Sequence, residues 1–177
     1  MRDVTLETLS GGMPGITPRY GACLAEAASF CMEDQKHSSG VRLRVDGDYD
    51  DYFRVLWISL SPQNQLERCW RDAEVATELG AYGIAALIIP LLTNYIVVER
   101  SRKGTGFDYW LGEKGRIDRL FQNKARLEVS GIRNGDESVI RQRVSQKMRQ
   151  TSKSNGKLHA IIAVVEFSTP RSRVVNK

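Results

Sequence analysis

The chain has 177 residues, 41% hydrophobic and 27% charged, with a formal net charge of +5 at pH 7; this describes one globular domain and excludes wholesale disorder. Its longest apolar stretch, 81–92, is too short to span a membrane and is interrupted by Gly83 and Pro90. The first eight residues lack the apolar segment of a signal peptide. We therefore expect a cytoplasmic protein with no membrane partner.

The first 70 residues predict an arm, a helix and a hairpin. Residues 1–18, rich in Gly and Pro, predict a flexible arm, and 19–177 is expected to form a single domain. Apolar residues recur at helical spacing over 19–35, and residues 41–60 alternate around an acidic turn, which predicts a helix and a β-hairpin within 19–70. The hairpin's aromatic residues favour a homodimer contact there: Tyr52, Phe53 and Trp57.

From residue 71 onward, the patterns predict the order α-β-β-β-α-β within an α/β (α+β) fold. A long helix is predicted over 71–94, kinked or ended early by Pro90. A second helix is predicted over 136–151, and 168–177 is predicted to be a basic tail. The remaining predicted elements are strands at 95–98, 107–111, 125–132 and 160–167, with a polar excursion at 112–123.

The charge is divided unevenly along the chain. Residues 1–99 carry a net charge of −6, and residues 100–177 carry a net charge of +11. One explanation is a basic face that binds a polyanion, of which nucleic acid is the commonest. The other is that the acidic first half packs against the basic second half. The sequence leaves both open.

Three carboxylates in the middle of the chain are candidates for chemistry. Glu78 (or Glu74) lies on the long helix, Asp108 follows a Gly-Thr-Gly-Phe turn, and Glu128 comes 20 residues later on the next strand. Hard divalent cations prefer oxygen ligands, so two strand-borne carboxylates could hold one against a phosphodiester. The structural alternatives are that Asp108 caps its turn and that Glu128 forms a salt bridge. The possible partners for that bridge are Arg126, Arg141 and Arg143.

This arrangement of elements, with Gly-x-Gly-x-Asp and Glu-x-x on successive strands, resembles the PD-(D/E)XK nuclease superfamily. The segment Glu78–Gly131 is most similar to the Mrr-like restriction endonucleases and archaeal-type junction resolvases. The resemblance covers 71–167 and implies a restriction-endonuclease-like αβββαβ core with a mixed central sheet. It implies a Mg²⁺ (or Mn²⁺) site at Asp108, Glu128 and the main-chain carbonyl of Val129, with Glu78 as a further catalytic residue. The implied function is a metal-dependent DNA endonuclease, as a restriction, repair or phage-defence component.

One residue departs from that family's pattern. Ser130 stands where the family has a lysine, and a hydroxyl cannot replace the lysine's positive charge. Lys147 on the following helix, or Lys103 before Asp108, could supply that charge instead. If neither does, the chain is a catalytically inactive protein that binds nucleic acid or acts as a protein–protein adaptor, or a structural subunit that docks on an acidic protein. The residues expected to contact nucleic acid are Lys103, Arg126, Arg141, Arg143, Lys147 and Arg149.

Overall fold

One mixed sheet organises the protein. The computed structural model describes residues 1–59, 63–115, 122, 125–152 and 158–177. Its strands lie in the order β1-β3-β2-β8-β7-β6-β5-β4, which confirms the α+β class. The strands are β1 (Arg2–Thr5), β2 (Val41–Gly47), β3 (Asp51–Leu56), β4 (Tyr95–Arg100), β5 (Tyr109–Glu113), β6 (Ala125–Ile132), β7 (His159–Glu166) and β8 (Arg171–Asn176). The helices are α1 (Pro18–Asp34), α2 (Gln63–Cys69), α3 (Ala73–Leu92) and α4 (Glu137–Ser152), and a 3-10 helix occupies Leu6–Gly11.

The second half has the predicted order of elements. Strands β4, β5 and β6 form an antiparallel meander, and β7 lies parallel to β6 after the crossover through α4. Strand β5 begins at Tyr109 rather than at Phe107, so Asp108 lies immediately before the strand. The predicted polar excursion over 112–123 falls mostly outside the described residues. The strand order agrees with the resemblance, but α+β order alone does not identify a nuclease.

Strand β6 is buried on both faces, which explains its apolar sequence. Successive side chains on a strand point to opposite faces, so β6 contacts two different layers. Leu127 and Val129 belong to the main core, which includes α1 and α3. Ile132 belongs to a smaller cluster with Ile140 of α4 and with residues of β7. Charged residues of β6 that point toward α4 are therefore enclosed between a helix and a sheet.

Helix α3 packs in the core. Asp72 caps its N-terminus by accepting hydrogen bonds from the main-chain N–H groups of Glu74 and Val75. Pro90 lies in its last turn, and the helix ends two residues later at Leu92. Among the described helices, α3 alone is long and apolar enough to cross a membrane, but 61% of its most apolar 18-residue window is buried inside the fold. That is the burial of a core helix in a soluble protein.

The prediction of a flexible arm over 1–18 is wrong. Strand β1 pairs in parallel with β3 at the sheet edge. Leu6, Leu9 and Ile16 are buried in the main core. Gly15 donates a main-chain hydrogen bond to Val97 O of β4 at 3.1 Å. Pro14 and Gly15 form a tight turn between Met13 and Ile16, and Pro18 begins α1, so the Gly- and Pro-rich composition does not indicate disorder here.

The prediction of a basic tail over 168–177 is also wrong. Strand β8 lies inside the sheet, antiparallel to β7 and parallel to β2. Its arginines are paired: Arg171 and Arg173 both contact Asp46 of β2 and Glu137 at the start of α4. Part of the basic charge of the second half is therefore neutralised by the first half.

The hairpin β2–β3 is present as predicted, with antiparallel pairing. Its aromatic residues do not form a contact surface, because Phe53 and Trp57 are buried in the main core. Tyr52 is partly exposed and stacks with Arg42 and Arg44. Of the three aromatic residues at which a homodimer contact was expected, Tyr52 alone reaches the surface, and a homodimer stays a prediction.

Helix α3 and strand β6 approach each other most closely at Gly131, where an added Cβ atom would lie 2.4 Å from the main-chain oxygen of Thr77. We expect Gly131→Ala to lower the free energy of unfolding by about 2 to 3 kcal/mol, because the helix must move away from the sheet. Gly11→Ala is the control, since an added Cβ there meets nothing within 4 Å. Urea denaturation measures both variants, and equal effects would contradict this account of the packing.

Candidate functional site

A pocket of about 600 Å³ lies between α3, the second half of β6 and α4. Glu78 of α3, Asp108 before β5, Glu128 of β6 and Lys147 of α4 all line it. The main-chain N–H of Asp108 donates to Leu127 O at 2.9 Å, which fixes Asp108 beside β6. The structure thus brings together the four residues that the sequence analysis selected as catalytic.

Glu128 is the buried centre of this pocket, with only 1% of its side chain exposed. Its Oε1 accepts a hydrogen bond from Lys147 Nζ at 2.5 Å. Its Oε2 is buried and has no hydrogen-bond partner among the described residues. Burial and the nearby charge of Asp108 raise the pKa of Glu128 to about 7, although Lys147 opposes the shift. An unpartnered buried carboxylate oxygen is costly and calls for a ligand or a proton.

Asp108 is held by two neighbours. Its Oδ2 accepts from the main-chain N–H of Val129 at 2.8 Å, and its Oδ1 accepts from the Tyr82 hydroxyl at 2.9 Å. The same hydroxyl contacts Glu78 Oε1 at 2.6 Å, so Tyr82 bridges the two carboxylates. Burial raises the pKa of Asp108, and the hydrogen bond from Val129 counteracts part of that shift. The side chain is bound to β6, so the alternative that Asp108 merely caps its own turn is wrong.

Helix α4 contacts β6 through a regular ladder of polar groups. Arg143 Nη1 donates to Ser130 Oγ at 2.8 Å, and one turn later Lys147 reaches Glu128. The contacting residues are evenly matched, because four residues rise about 6 Å along the helix and two residues rise about 6.6 Å along the strand. Glu128 is therefore paired with a lysine of α4, and the alternative of an arginine partner is wrong.

A further polar contact between β6 and α4 involves Arg126, one of the residues predicted to contact nucleic acid. Arg126 is 3% exposed and donates to Thr151 O at 3.2 Å and to Leu158 O at 2.6 Å. Its guanidinium also lies over the Phe107 ring, 6.0 Å from the centroid. Because these contacts lie inside the fold, the prediction that Arg126 contacts nucleic acid is wrong.

The other predicted basic residues lie on or near the surface. Arg149 and Lys103 are exposed, and Arg141 is exposed and paired with Glu137 at 2.6 Å. Lys103 lines a neighbouring pocket of about 310 Å³ that shares Glu78, Asp108 and Glu128 with the first pocket. Lys103 is thus an exposed cation next to the carboxylates. Contact of these residues with nucleic acid stays a prediction.

Sequence reasoning missed Tyr82 and Arg133 as members of the site. Tyr82 lies one helical turn after Glu78, and that spacing places both on one face of the helix. Arg133 lies just after β6 and lines the pocket, and nothing in the local sequence indicates it.

A Mg²⁺ site at this pocket requires suitable oxygen ligands among its side chains. Within the described ranges, no group of three or more His, Cys, Asp or Glu side chains could hold a metal ion. Mg²⁺ does not require such a group, because it keeps several waters and binds through one or two carboxylates plus substrate phosphate. Asp108 and Glu128, with the unpartnered Oε2 of Glu128, fit that mode. Val129 contributes its N–H to Asp108, and its carbonyl as a metal ligand stays a prediction.

Comparison with protein-family models, curated proteins and solved structures finds no match to this chain. The resemblance to the PD-(D/E)XK nucleases therefore depends on the residues and the order of elements alone. What the site does is a matter for proposal and experiment.

The ion pair between Lys147 and Glu128 can be tested by a double-mutant cycle. Lys147→Met should lower the free energy of unfolding by about 3 kcal/mol at pH 8, because it leaves a buried carboxylate without its cation. The loss should shrink as the pH falls toward 7, because the variant lacks the lysine that lowers the pKa of Glu128, and its carboxyl group therefore takes up a proton at a higher pH than in the wild type.

Adding Glu128→Gln to Lys147→Met should recover most of the lost stability, because neither charge then remains in the pocket. Chemical denaturation of the wild type, both single variants and the double variant gives the coupling energy. Additive effects of the two substitutions would show that the two groups do not interact.

Proposed function

We propose that this chain is a Mg²⁺- or Mn²⁺-dependent nuclease that acts in the cytoplasm on DNA. The observation that carries the proposal is the environment of Glu128: a buried carboxylate with one unpartnered oxygen, next to Asp108 and paired with a lysine. A merely structural glutamate at this position would be expected to satisfy both oxygens. A role in restriction, repair or phage defence rests on the family resemblance alone.

Each residue of the site would have a definite part. Asp108 and Glu128 would hold the cation, and Tyr82 and the Val129 N–H would keep the Asp108 carboxylate oriented. A bound divalent cation supplies an activated water and stabilises negative charge on a phosphate. Lys147, fixed by Glu128, would place its ammonium group beside the attacked phosphate and hold the attacking water.

The absence of a lysine at position 130 is compatible with this proposal. Lys147 Nζ lies 2.5 Å from Glu128 Oε1, so a cation is supplied to the carboxylate from α4 instead of from β6. At position 130 the strand carries a neutral hydroxyl group, and the guanidinium group of Arg143 donates a hydrogen bond to it. Lys147 thus places a positive charge next to the carboxylates, although it stands at a different position in the sequence from the lysine of the family's pattern.

The catalytic proposal predicts the behaviour of four variants. Asp108→Asn and Glu128→Gln should each abolish Mg²⁺-dependent cleavage of plasmid and oligonucleotide DNA, because each removes a cation ligand. Lys147→Met should lower kcat by about a hundredfold or more, the scale for losing a group that stabilises developing charge. Adding Ser130→Lys to the Lys147→Met variant should restore only part of the cleavage activity, because Arg143 already occupies the space beside residue 130.

Cleavage is measured by gel electrophoresis with Mg²⁺, Mn²⁺ or EDTA, and folding of each variant by circular dichroism. A protein that cleaves neither DNA nor RNA with either cation would rule out the nuclease.

The second candidate function is a nucleic-acid-binding protein that does not cleave. It is favoured by Ser130 in place of the family's lysine and by the finding that no three His, Cys, Asp or Glu side chains among the described residues are placed to hold a metal ion together. Both candidates require contact with phosphates, and they differ only in metal-dependent cleavage.

Binding to DNA should depend steeply on salt, because exposed cations near the pocket would displace counterions from phosphates. Replacing both Lys103 and Arg149, which are exposed, should weaken binding to duplex DNA and reduce the salt slope by about 2. Fluorescence anisotropy between 50 and 200 mM NaCl, in EDTA so that cleavage does not interfere, gives this slope. An absence of binding at the lowest salt would exclude both candidate functions.

A further inference from the structure

One side of the pocket carries two arginines that the catalytic proposal does not use for cleavage. Arg133 follows β6, and Arg143 comes from α4; both line the pocket on the side of Ser130 and Asn134. Ser130 lies two residues beyond Glu128, about 7 Å along the strand. This part of the pocket therefore adjoins the carboxylates and has the opposite charge.

Arg133 has a donor with no partner. Its Nη2 forms an ion pair with Asp34 Oδ2 at 2.5 Å, which anchors the side chain to the end of α1. Its Nη1 is buried and makes no hydrogen bond to any described residue. A buried guanidinium nitrogen without an acceptor is as costly as a buried carboxylate oxygen without a donor. The side chain as a whole is 33% exposed and lines the pocket, so the guanidinium is open to an acceptor that enters there.

Arg143 is oriented by its neighbours in the same way. Its Nη1 donates to Ser130 Oγ at 2.8 Å and to Gly131 O at 3.3 Å, which holds the guanidinium against β6. A guanidinium presents five N–H donors in a rigid fork that matches phosphate oxygens. Glu74 is the carboxylate that lines this side, and it is exposed on the first turn of α3.

We propose that Arg133 and Arg143 form an anion subsite that binds a phosphate of a nucleic-acid strand, next to the phosphate held at Asp108 and Glu128. That the phosphate at Asp108 and Glu128 is the one that is cleaved rests on the proposed function. The subsite itself depends only on the two arginines. It implies that the substrate is a strand with at least two consecutive phosphates.

The first experiment needs no cleavage. Inorganic phosphate is titrated into the protein in EDTA, and the amide resonances of residues 130–134 are followed by NMR. The wild type should show saturable shifts there. Arg133→Gln and Arg143→Gln should each weaken binding about tenfold, as expected for losing a charge-assisted hydrogen bond.

Two variants make this result specific. Arg133→Lys can keep the ion pair with Asp34 but lacks the second arm of the guanidinium, so it should fold normally and still lose phosphate affinity. Arg42→Gln removes the same charge from β2, three strands away from β6, and should bind phosphate like the wild type. Loss of affinity in Arg42→Gln equal to that in Arg133→Gln, or no shift at residues 130–134, would overturn the subsite.

The second experiment joins the subsite to cleavage. With Mg²⁺, Arg133→Lys should lower kcat/KM about tenfold for the trinucleotide d(TpTpT), which has two phosphates, and leave the dinucleotide d(TpT) unchanged. An equal loss for both substrates would show a structural effect and refute the second phosphate contact. If the wild type cleaves neither oligonucleotide, the phosphate titration alone decides the subsite, and the cleavage assays on plasmid and longer DNA decide the proposed function.

Discussion

The carboxylate of Glu128 is buried in the middle of a sheet, and that single constraint organises the site around it. A charge so enclosed needs a counter-charge within reach. Lys147 provides it from α4, which forces the helix to cross β6 with a particular register. The same register places Arg143 against Ser130 and the end of α4 against Arg126. The ion pair still leaves Glu128 Oε2 without a hydrogen-bond partner in the part of the chain that the structure describes, so those residues do not complete this carboxylate's interactions.

Three separate elements deliver the carboxylates to this place. Glu78 comes from the buried helix α3, Asp108 from the residue before β5, and Glu128 from β6. Tyr82 connects the first two through its hydroxyl, although its ring packs edge-on against Tyr109 in the core. Because the Tyr82 side chain has an apolar ring and a polar hydroxyl group, it is well suited to orient carboxylates at the boundary between the packed interior and a pocket.

The uneven charge of the chain has two origins rather than one. Arg171 and Arg173 of the second half neutralise Asp46 of the first, and Arg133 pairs with Asp34. This supports the view that the halves pack acid against base. Lys103 remains exposed and lines a pocket with the carboxylates, which supports the view that a polyanion binds there. A charge count along the sequence cannot separate these contributions, because pairing depends on which strands become neighbours.

The sequence determined those features that depend on local periodicity. Alternation and helical spacing gave the helices and most strands of residues 71–167, and the carboxylates were selected because their spacing placed two of them on adjacent strands. The tertiary structure decided what involves distant residues. Strands β1 and β8 take their places by pairing with β3, β2 and β7, so neither terminal segment could be recognised from its own composition. Lys147 lies 19 residues after Glu128 and Arg133 lies 99 residues after Asp34, and only the folded chain determines which cation meets which carboxylate, because burial, not sequence proximity, makes each pairing necessary.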